Sequence, residues 1–191
     1  MELKEAIYTR RAIRAFTDKS VDEKVLQELI EAATQAPSAL NDQPWSFSVI
    51  RDQFLLNDIS DAAKAYLLRS TPAGLLSSHL QVLNDPKFQI FYHAPVLIVI
   101  SSVMETPWAV IDRSLAAANL MLAARAEELG TCWIGFAQTW LSTEKGKAAI
   151  NLPFMSVPVA PLIVGYPQSI PFSVPRKQPQ VHWIGRNGEK R

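Results

Sequence analysis

One short run constrains this chain more than any other. From Pro95 to Ser101 the sequence reads Pro-Val-Leu-Ile-Val-Ile-Ser, β-branched and apolar with no helical period. Successive side chains of a strand point to opposite faces, so a run without alternation predicts a strand covered on both sides. The run is far shorter than the roughly 20 apolar residues a membrane helix needs. A buried strand therefore has to sit in a sheet inside a globular body.

The rest of the chain supplies the cover. Met1 to Thr9 reads as a short helix with Leu3, Ala6 and Ile7 on one side. Arg10 to Lys19 is a charged loop. Ser20 and Glu23 have capping-box spacing, predicting a helix that carries Val25, Leu26, Leu29, Ile30 and Ala33 and stops before Pro37. Ser46 to Arg51 alternates like a strand, and Leu55 to Leu68 has helical character. The longest predicted helix runs from about Trp108 to Leu129, with Pro107 suited to its first turn and Gly130 to the position past its end. Its alanines, Ala116 to Ala118 and Ala123, Ala124 and Ala126, permit close approach, and apolar residues on several faces predict burial on several sides. Thr131 to Phe136 and Val159 to Val164 read as strands, and Ser142 as the start of a short helix ending near Ile150. Beyond Tyr166, prolines at 167, 171, 175 and 179 predict an extended tail that must lie on the body or on a partner. Alternating helices and strands around a mixed sheet make the class α+β, loosely α/β.

Length and charge narrow the function. The 191 residues fit a single domain, at roughly 100–200 residues per domain, and 48% hydrophobic with 19% charged residues matches a globular protein. A net charge of +1 argues against nucleic acid or a membrane surface as partner, so any basic site has to be local. The lone Cys132 fits a reducing compartment, and acids at Glu2 and Glu5 without an apolar core speak against a signal peptide; a cytoplasmic protein is expected.

Three segments carry chemistry. Arg10, Arg11 and Arg14 concentrate forked, permanently charged donors suited to phosphate, and Arg176-Lys177 forms a second basic pair. From spacing alone, a solvated basic face is the simpler reading of both. In Ala36 to Trp45, Ser38, Asn41 and Gln43 present polar groups suited to a heterocycle, although a plain helix-to-strand connection has the same composition. In Leu129 to Gly135, Gly130 is explained as a helix cap, whereas Gly135, ending a strand, permits close approach of a flat ligand. Cys132 has no histidine near it in sequence and reads as a buried structural thiol. His79, His93 and His182 are scattered, and no dinucleotide, P-loop, zinc or serine-hydrolase signature occurs.

Taken together, these segments resemble the nitroreductase family of flavoenzymes. The resemblance rests on Arg10-Arg11-Ala12-Ile13-Arg14-Ala15-Phe16, on Ala36 to Trp45, on Ala94-Pro95-Val96, on Leu129 to Gly135, on Gly165-Tyr166-Pro167 and on Pro175-Arg176-Lys177, in the family's order along nearly the whole chain. Two positions depart from the pattern: Ala12 replaces the usual serine, and Leu40 stands where glycine is frequent, which would narrow the space beside a ring.

The resemblance implies a single flavin mononucleotide (FMN)-binding domain over residues 1–191. Its fold would be α+β, with a central mixed, mainly antiparallel sheet flanked by helices, in an interlocked homodimer with an extended C-terminal tail. Arg10, Arg11, Ala12 and Arg14 would contact the FMN phosphate, ribityl chain or ring, with Arg176 and Lys177 closing on the phosphate. Pro37, Ser38 and Asn41 would reach the flavin of the other subunit or border its ring, and the backbone of Trp133, Ile134 and Gly135 would face the ring near N5. The implied reaction is ping-pong transfer of a hydride from NADH or NADPH, through flavin N5, to an oxidised acceptor such as a nitroaromatic or quinone, with no catalytic side chain and no metal. Relatives of this fold that dehalogenate, fragment flavin or dehydrogenate a substrate, and a flavin-binding protein without turnover, are the alternatives. The residues between Leu68 and Tyr92, which often border the pocket in that family, carry no motif that places them.

Overall fold

The run from Val96 to Ser102 forms a central strand whose every residue is buried. The computed structural model describes residues 1–71, 81–103 and 105–184. In chain order the elements are α1 (Leu3–Thr9), α2 (Glu23–Thr34), β1 (Trp45–Ile50), α3 (Gln53–Ser70), β2 (Val96–Ser102), α4 (Ala109–Ala126), β3 (Gly130–Trp133), α5 (Gly135–Leu141), α6 (Glu144–Ala149) and β4 (Val157–Gly165). The sheet order is β1-β2-β4-β3. All three ladders are antiparallel, with Val49 opposite Ile98, Ile98 opposite Leu162 and Cys132 opposite Ile163. The sheet is antiparallel, in line with the expectation of a mainly antiparallel one, and the parallel component among the described residues is one isolated bridge, Ala12 to Thr131.

Alternation along β2 builds a core on each face. Val96, Ile98 and Ile100 pack with Leu26, Leu29, Ala117, Leu120 and Ala124 of α2 and α4. Leu97 and Val99 pack with Leu56, Ile59, Ala137 and Leu141 of α3 and α5. The sheet is therefore the middle of three layers, as a strand apolar at every position requires. No helix among the described residues is long and apolar enough to cross a membrane.

Several boundaries differ from expectation, each for a local reason. Asp22, not Ser20, caps α2, its carboxylate accepting from the Lys24 N–H at 2.9 Å. Val21 and Leu26, flanking that cap, are both buried in the same core and act as a hydrophobic staple. The left-handed residue after α4 is Glu128 (φ 60°), and the Leu129 N–H donates to Ala124 O at 2.8 Å, closing a Schellman-type end. Helix α4 is buried along its sheet face, whereas Val110, Ile111 and Leu115 are exposed. Gly135 opens α5 instead of ending a strand. Ser142 closes α5, and the Thr143 hydroxyl caps α6 by accepting from the Gly146 N–H at 3.1 Å.

Gly130, released from a capping role, has another. A Cβ there would lie 2.6 Å from Ile13 Cγ1, so the missing side chain lets the Arg10–Phe16 segment press against β3. Gly130→Ala should destabilise the fold by about 1–3 kcal/mol, as overpacking does. A urea titration checks this, and an unchanged midpoint would show that Ile13 yields freely.

Candidate functional site

The arginine segment is extended because it lies on the free edge of β3. The Ile13 N–H donates to Thr131 O at 3.0 Å, and Ala12 bridges Thr131 in parallel. Ile13 and Phe16 point into the core, which turns the arginines between and before them outward. The same segment also holds the start of the C-terminal tail. The Thr17 N–H donates to Tyr166 O at 2.9 Å, the Gln168 N–H donates to Ala15 O at 3.0 Å, and Phe16 bridges Pro167. Residues from the two ends of the chain are thereby brought side by side.

Between them lies a cleft of about 580 Å³ lined by Arg10, Arg11, Ala12 and Arg14 on one side and by Phe172, Val174 and Arg176 on the other, among others. Its charge is uncompensated: the ion pairs among the described residues join Lys24 to Glu28, Arg51 to Glu23 and Arg113 to Asp112, none of them at the cleft. Arg11 is held by its own surroundings. Its Nη1 donates to Tyr8 O at 2.9 Å and Arg10 O at 2.7 Å, and its Nη2 donates to Ser173 Oγ at 3.3 Å. Its Nε is buried with no hydrogen-bond partner among the described residues.

Arg14 lies 5.8 Å from the centre of the Tyr92 ring, and Tyr92 packs edge-on against Phe88, which in turn meets Phe136. Phe88 and Tyr92, from the segment that carried no motif, thus form an aromatic wall with Phe136 of α5; residues 72–80 of that segment, with His79, lie outside the described residues. Cys132 is buried beside Arg14. Burial pushes its thiol pKa up, while the charges of Arg14 and Arg10 and a hydrogen bond from Arg14 offset part of that rise. It is a packed thiol, as its sequence context suggests.

Trp133, Ile134 and Gly135 continue from the strand edge that holds the arginines. The Ile134 N–H is used by Pro161 O at 2.8 Å, whereas the Gly135 N–H meets no acceptor among the described residues. A Cβ at Gly135 would meet nothing within 4 Å. Gly130, Gly146 and Gly165 each lack a side chain because protein atoms fill the space; at Gly135 the space is open. A flat ligand can use such a surface.

The Ala36–Trp45 segment stands apart: neither Pro37, Ser38 nor Asn41 lines the arginine cleft of this chain, and Lys177 does not line it either. Ser38 Oγ accepts from the Gln43 N–H at 3.1 Å, and Gln43 Nε2 donates to Asn41 Oδ1 at 3.2 Å. Leu40 (φ 54°), Asn41 (φ 57°) and Gln43 (φ 48°) are all left-handed. The glycine frequent at position 40 thus matches a backbone demand, and the Leu40 side chain, 93% exposed, projects into solvent. Leu40→Gly should raise the unfolding free energy by about 1 kcal/mol, since a left-handed L-residue costs about 1–2 kcal/mol. Chemical denaturation checks the sign, and a loss of stability would mean that Leu40 makes a compensating contact.

Two groups of residues at or near these features escaped the sequence reading. Phe172 and Val174 wall the cleft from a tail without periodicity, where the available signal was an aromatic residue between prolines 171 and 175. Asp112 and Arg113 are buried on α4 against the Ala36–Trp45 segment, and a charged pair inside an alanine-rich helix was the signal.

Comparison with known proteins places these features in context. The nitroreductase family model matches residues 7–166. A protein of Archaeoglobus fulgidus named as an NADH dehydrogenase/NAD(P)H nitroreductase is 31% identical over 163 residues, covering 85% of this chain and 83% of its own length. One of the same name from Methanothermobacter thermautotrophicus is 30% identical over 176 residues, covering 90% and 80%. The crystal structure of a nitroreductase with bound FMN from Bacteroides fragilis superposes with a TM-score of 0.85 at 23% identity, covering 97% of this chain and all of the other.

Proposed function

Because the chain belongs to the nitroreductase family, we propose that it is an FMN-dependent oxidoreductase that takes a hydride from NADH or NADPH and passes it to an oxidised small molecule such as a nitroaromatic or a quinone. The observation that carries this reading is the arginine cleft. Guanidinium groups without carboxylate partners among the described residues converge there from both ends of the chain. The two curated relatives carry NAD(P)H in their names, and the Bacteroides fragilis structure holds FMN.

The residues fit FMN by their chemistry. Arg10, Arg11 and Arg176 bind its phosphate, and Arg14 reaches the ribityl chain or ring from its place over Tyr92; Lys177, next to Arg176 in the tail but outside the cleft lining, adds its charge nearby. The Ala12 backbone contributes beside them, in place of a serine hydroxyl. The backbone of Trp133, Ile134 and Gly135 faces the ring, where the absent Cβ at Gly135 allows close approach and an unpaired N–H favours added negative charge. FMN supplies the redox chemistry itself through N5, so no protein side chain need act as acid, base or nucleophile.

The enzyme on this reading is a cytoplasmic homodimer in which Pro37, Ser38 and Asn41 serve the flavin of the partner subunit. The support is that this segment does not line its own cleft, while α4 exposes Val110, Ile111 and Leu115 and the tail exposes Phe172 and Trp183. Exposed apolar side chains close together along one helix, as on α4, are of the kind that mark contact areas. Steady-state turnover with varied NAD(P)H and nitroaromatic tests the reaction order. Parallel lines in double-reciprocal plots are expected for ping-pong exchange through one site, and intersecting lines would contradict it.

A further inference from the structure

Helix α4 carries two charged residues that the proposed chemistry does not use, and both are interior. Asp112 is 4% exposed and Arg113 is fully buried. Burying such a pair is unfavourable unless hydrogen bonds satisfy it, yet the two match each other poorly. Arg113 Nη1 is 3.7 Å from Asp112 Oδ2, and both Nη1 and Nε lack a hydrogen-bond partner among the described residues. Their close hydrogen bonds go elsewhere. Asp112 Oδ1 accepts from the Ala39 N–H at 3.3 Å, and Arg113 Nη2 donates at 2.6 Å both to Pro44 O and to Ser102 Oγ, at the end of β2.

One turn of α4 therefore grips the Pro37–Pro44 segment at two points, Ala39 and Pro44. Leu40, Asn41 and Gln43, all left-handed, lie between the grips. Strained residues of this kind persist only where their surroundings over-determine them. The other bonds within residues 38–43 are local: the Asn41 N–H donates to Ser38 O and the Asp42 N–H to Ala39 O, both at 3.0 Å. Those from the Gln43 N–H to Ser38 Oγ and from Gln43 Nε2 to Asn41 Oδ1 are exposed to water, and none of the four ties the segment to the rest of the fold.

We propose that Asp112 and Arg113 are positioning residues, a buried clamp that holds Pro37–Gln43 in the strained shape in which it meets the flavin. The functional half of this proposal rests on the reading of Pro37, Ser38 and Asn41 as flavin contacts; the mechanical half does not. The pair explains why charge is kept inside an otherwise alanine-rich helix, and why the segment keeps its shape at Leu40 without a glycine.

The test replaces the pair by apolar residues of similar volume, Asp112→Leu with Arg113→Met, a change that folded proteins often tolerate. Pro44 O keeps the Val103 N–H at 3.2 Å, so no buried acceptor is orphaned there. Hydrogen exchange on the flavin-free protein should show amides in 37–44 exchanging at least tenfold faster, with the sheet unchanged. With FMN loaded, the visible circular dichroism of the flavin should change, and the KM for a nitroaromatic acceptor should rise at least tenfold with a smaller change in kcat. Adding Leu40→Gly, which accepts the left-handed backbone freely, should restore slow exchange and most of the KM; a pair that only stabilised the fold would give no such rescue. Unchanged exchange in the folded double variant overturns the clamp. Faster exchange with unaltered dichroism and KM overturns its link to the flavin. If the double variant does not fold, Arg113→Lys carries the test, because lysine keeps the charge but lacks the fork that spans Pro44 O and Ser102 Oγ. At least threefold faster exchange in 37–44 is then expected, and unchanged exchange overturns the clamp. A wild-type protein that takes up no FMN would end the flavin reading, with the exchange result still deciding the clamp.

Discussion

Replacing Arg10 and Arg11 together by alanine should raise the dissociation constant for FMN by about a hundredfold or more and leave the fold intact. A hydrogen bond to a charged group contributes about 1.5–3 kcal/mol, so losing two removes about 3–6 kcal/mol, which is roughly two to four powers of ten in affinity. Both residues lie outside helix and strand, between α1 and the bridge to β3. Arg11 also donates to Tyr8 O at the end of α1 and to Ser173 in the tail, so about 1 kcal/mol of stability should be lost as well. Fluorescence titration of the flavin-free variant with FMN, beside a urea melt, separates the two effects. Lys24→Ala on α2, an exposed charge remote from the cleft lining, should bind FMN as the wild type does. Wild-type affinity in the arginine variant would move the phosphate elsewhere.

The second large effect is expected at Gly135, and its value lies in the contrast with Gly130. A side chain at Gly135 meets no protein atom within 4 Å, and its φ is not in the left-handed region. Gly135→Val should therefore fold, with at most a small helix-propensity change at the first position of α5. The same branched side chain would stand in the space assigned to the flavin ring. An overlap of about 2–3 kcal/mol weakens FMN binding by roughly thirtyfold to a hundredfold. Gly130→Ala should do the reverse, lowering stability through Ile13 while leaving FMN affinity close to that of the wild type. Thermal melts and FMN titrations on both variants give four readings. A Gly135→Val protein that binds FMN normally would show that the ring lies elsewhere.

What could be read from the residues followed from how local each cause was. The β2 run and the long helix were legible because their patterns answer to one physical demand each, double-sided burial and uninterrupted helical propensity. The arginine segment was legible as a charge cluster, but its meaning depended on Arg176, which the Phe16–Pro167 bridge brings close and spacing cannot. Helix α5 was missed because the residues before it, Thr131 to Ile134, are strand formers and no side chain caps the turn at Ile134. Ser20 looked like a cap because its spacing to Glu23 is right, yet Asp22 stands nearer the helix and takes the role. Leu40 was read through the volume of its side chain, whereas its backbone angle is what the position selects for. Asp112 and Arg113 were invisible as a clamp because their partners are backbone groups, Ala39 N–H and Pro44 O, and no sequence pattern marks a backbone acceptor.

The arginine cleft, the open face at Gly135 and the membership in the nitroreductase family converge on one property: bound FMN that a nicotinamide cofactor can reduce. The most direct measurement loads the purified protein with FMN and mixes it anaerobically with NADH and, separately, with NADPH, following the flavin absorbance in a stopped-flow instrument. The expected result is bleaching of the flavin band with at least one of the two, and its return when a nitroaromatic or quinone is added. An FMN-loaded protein that neither cofactor bleaches would contradict the proposed reaction.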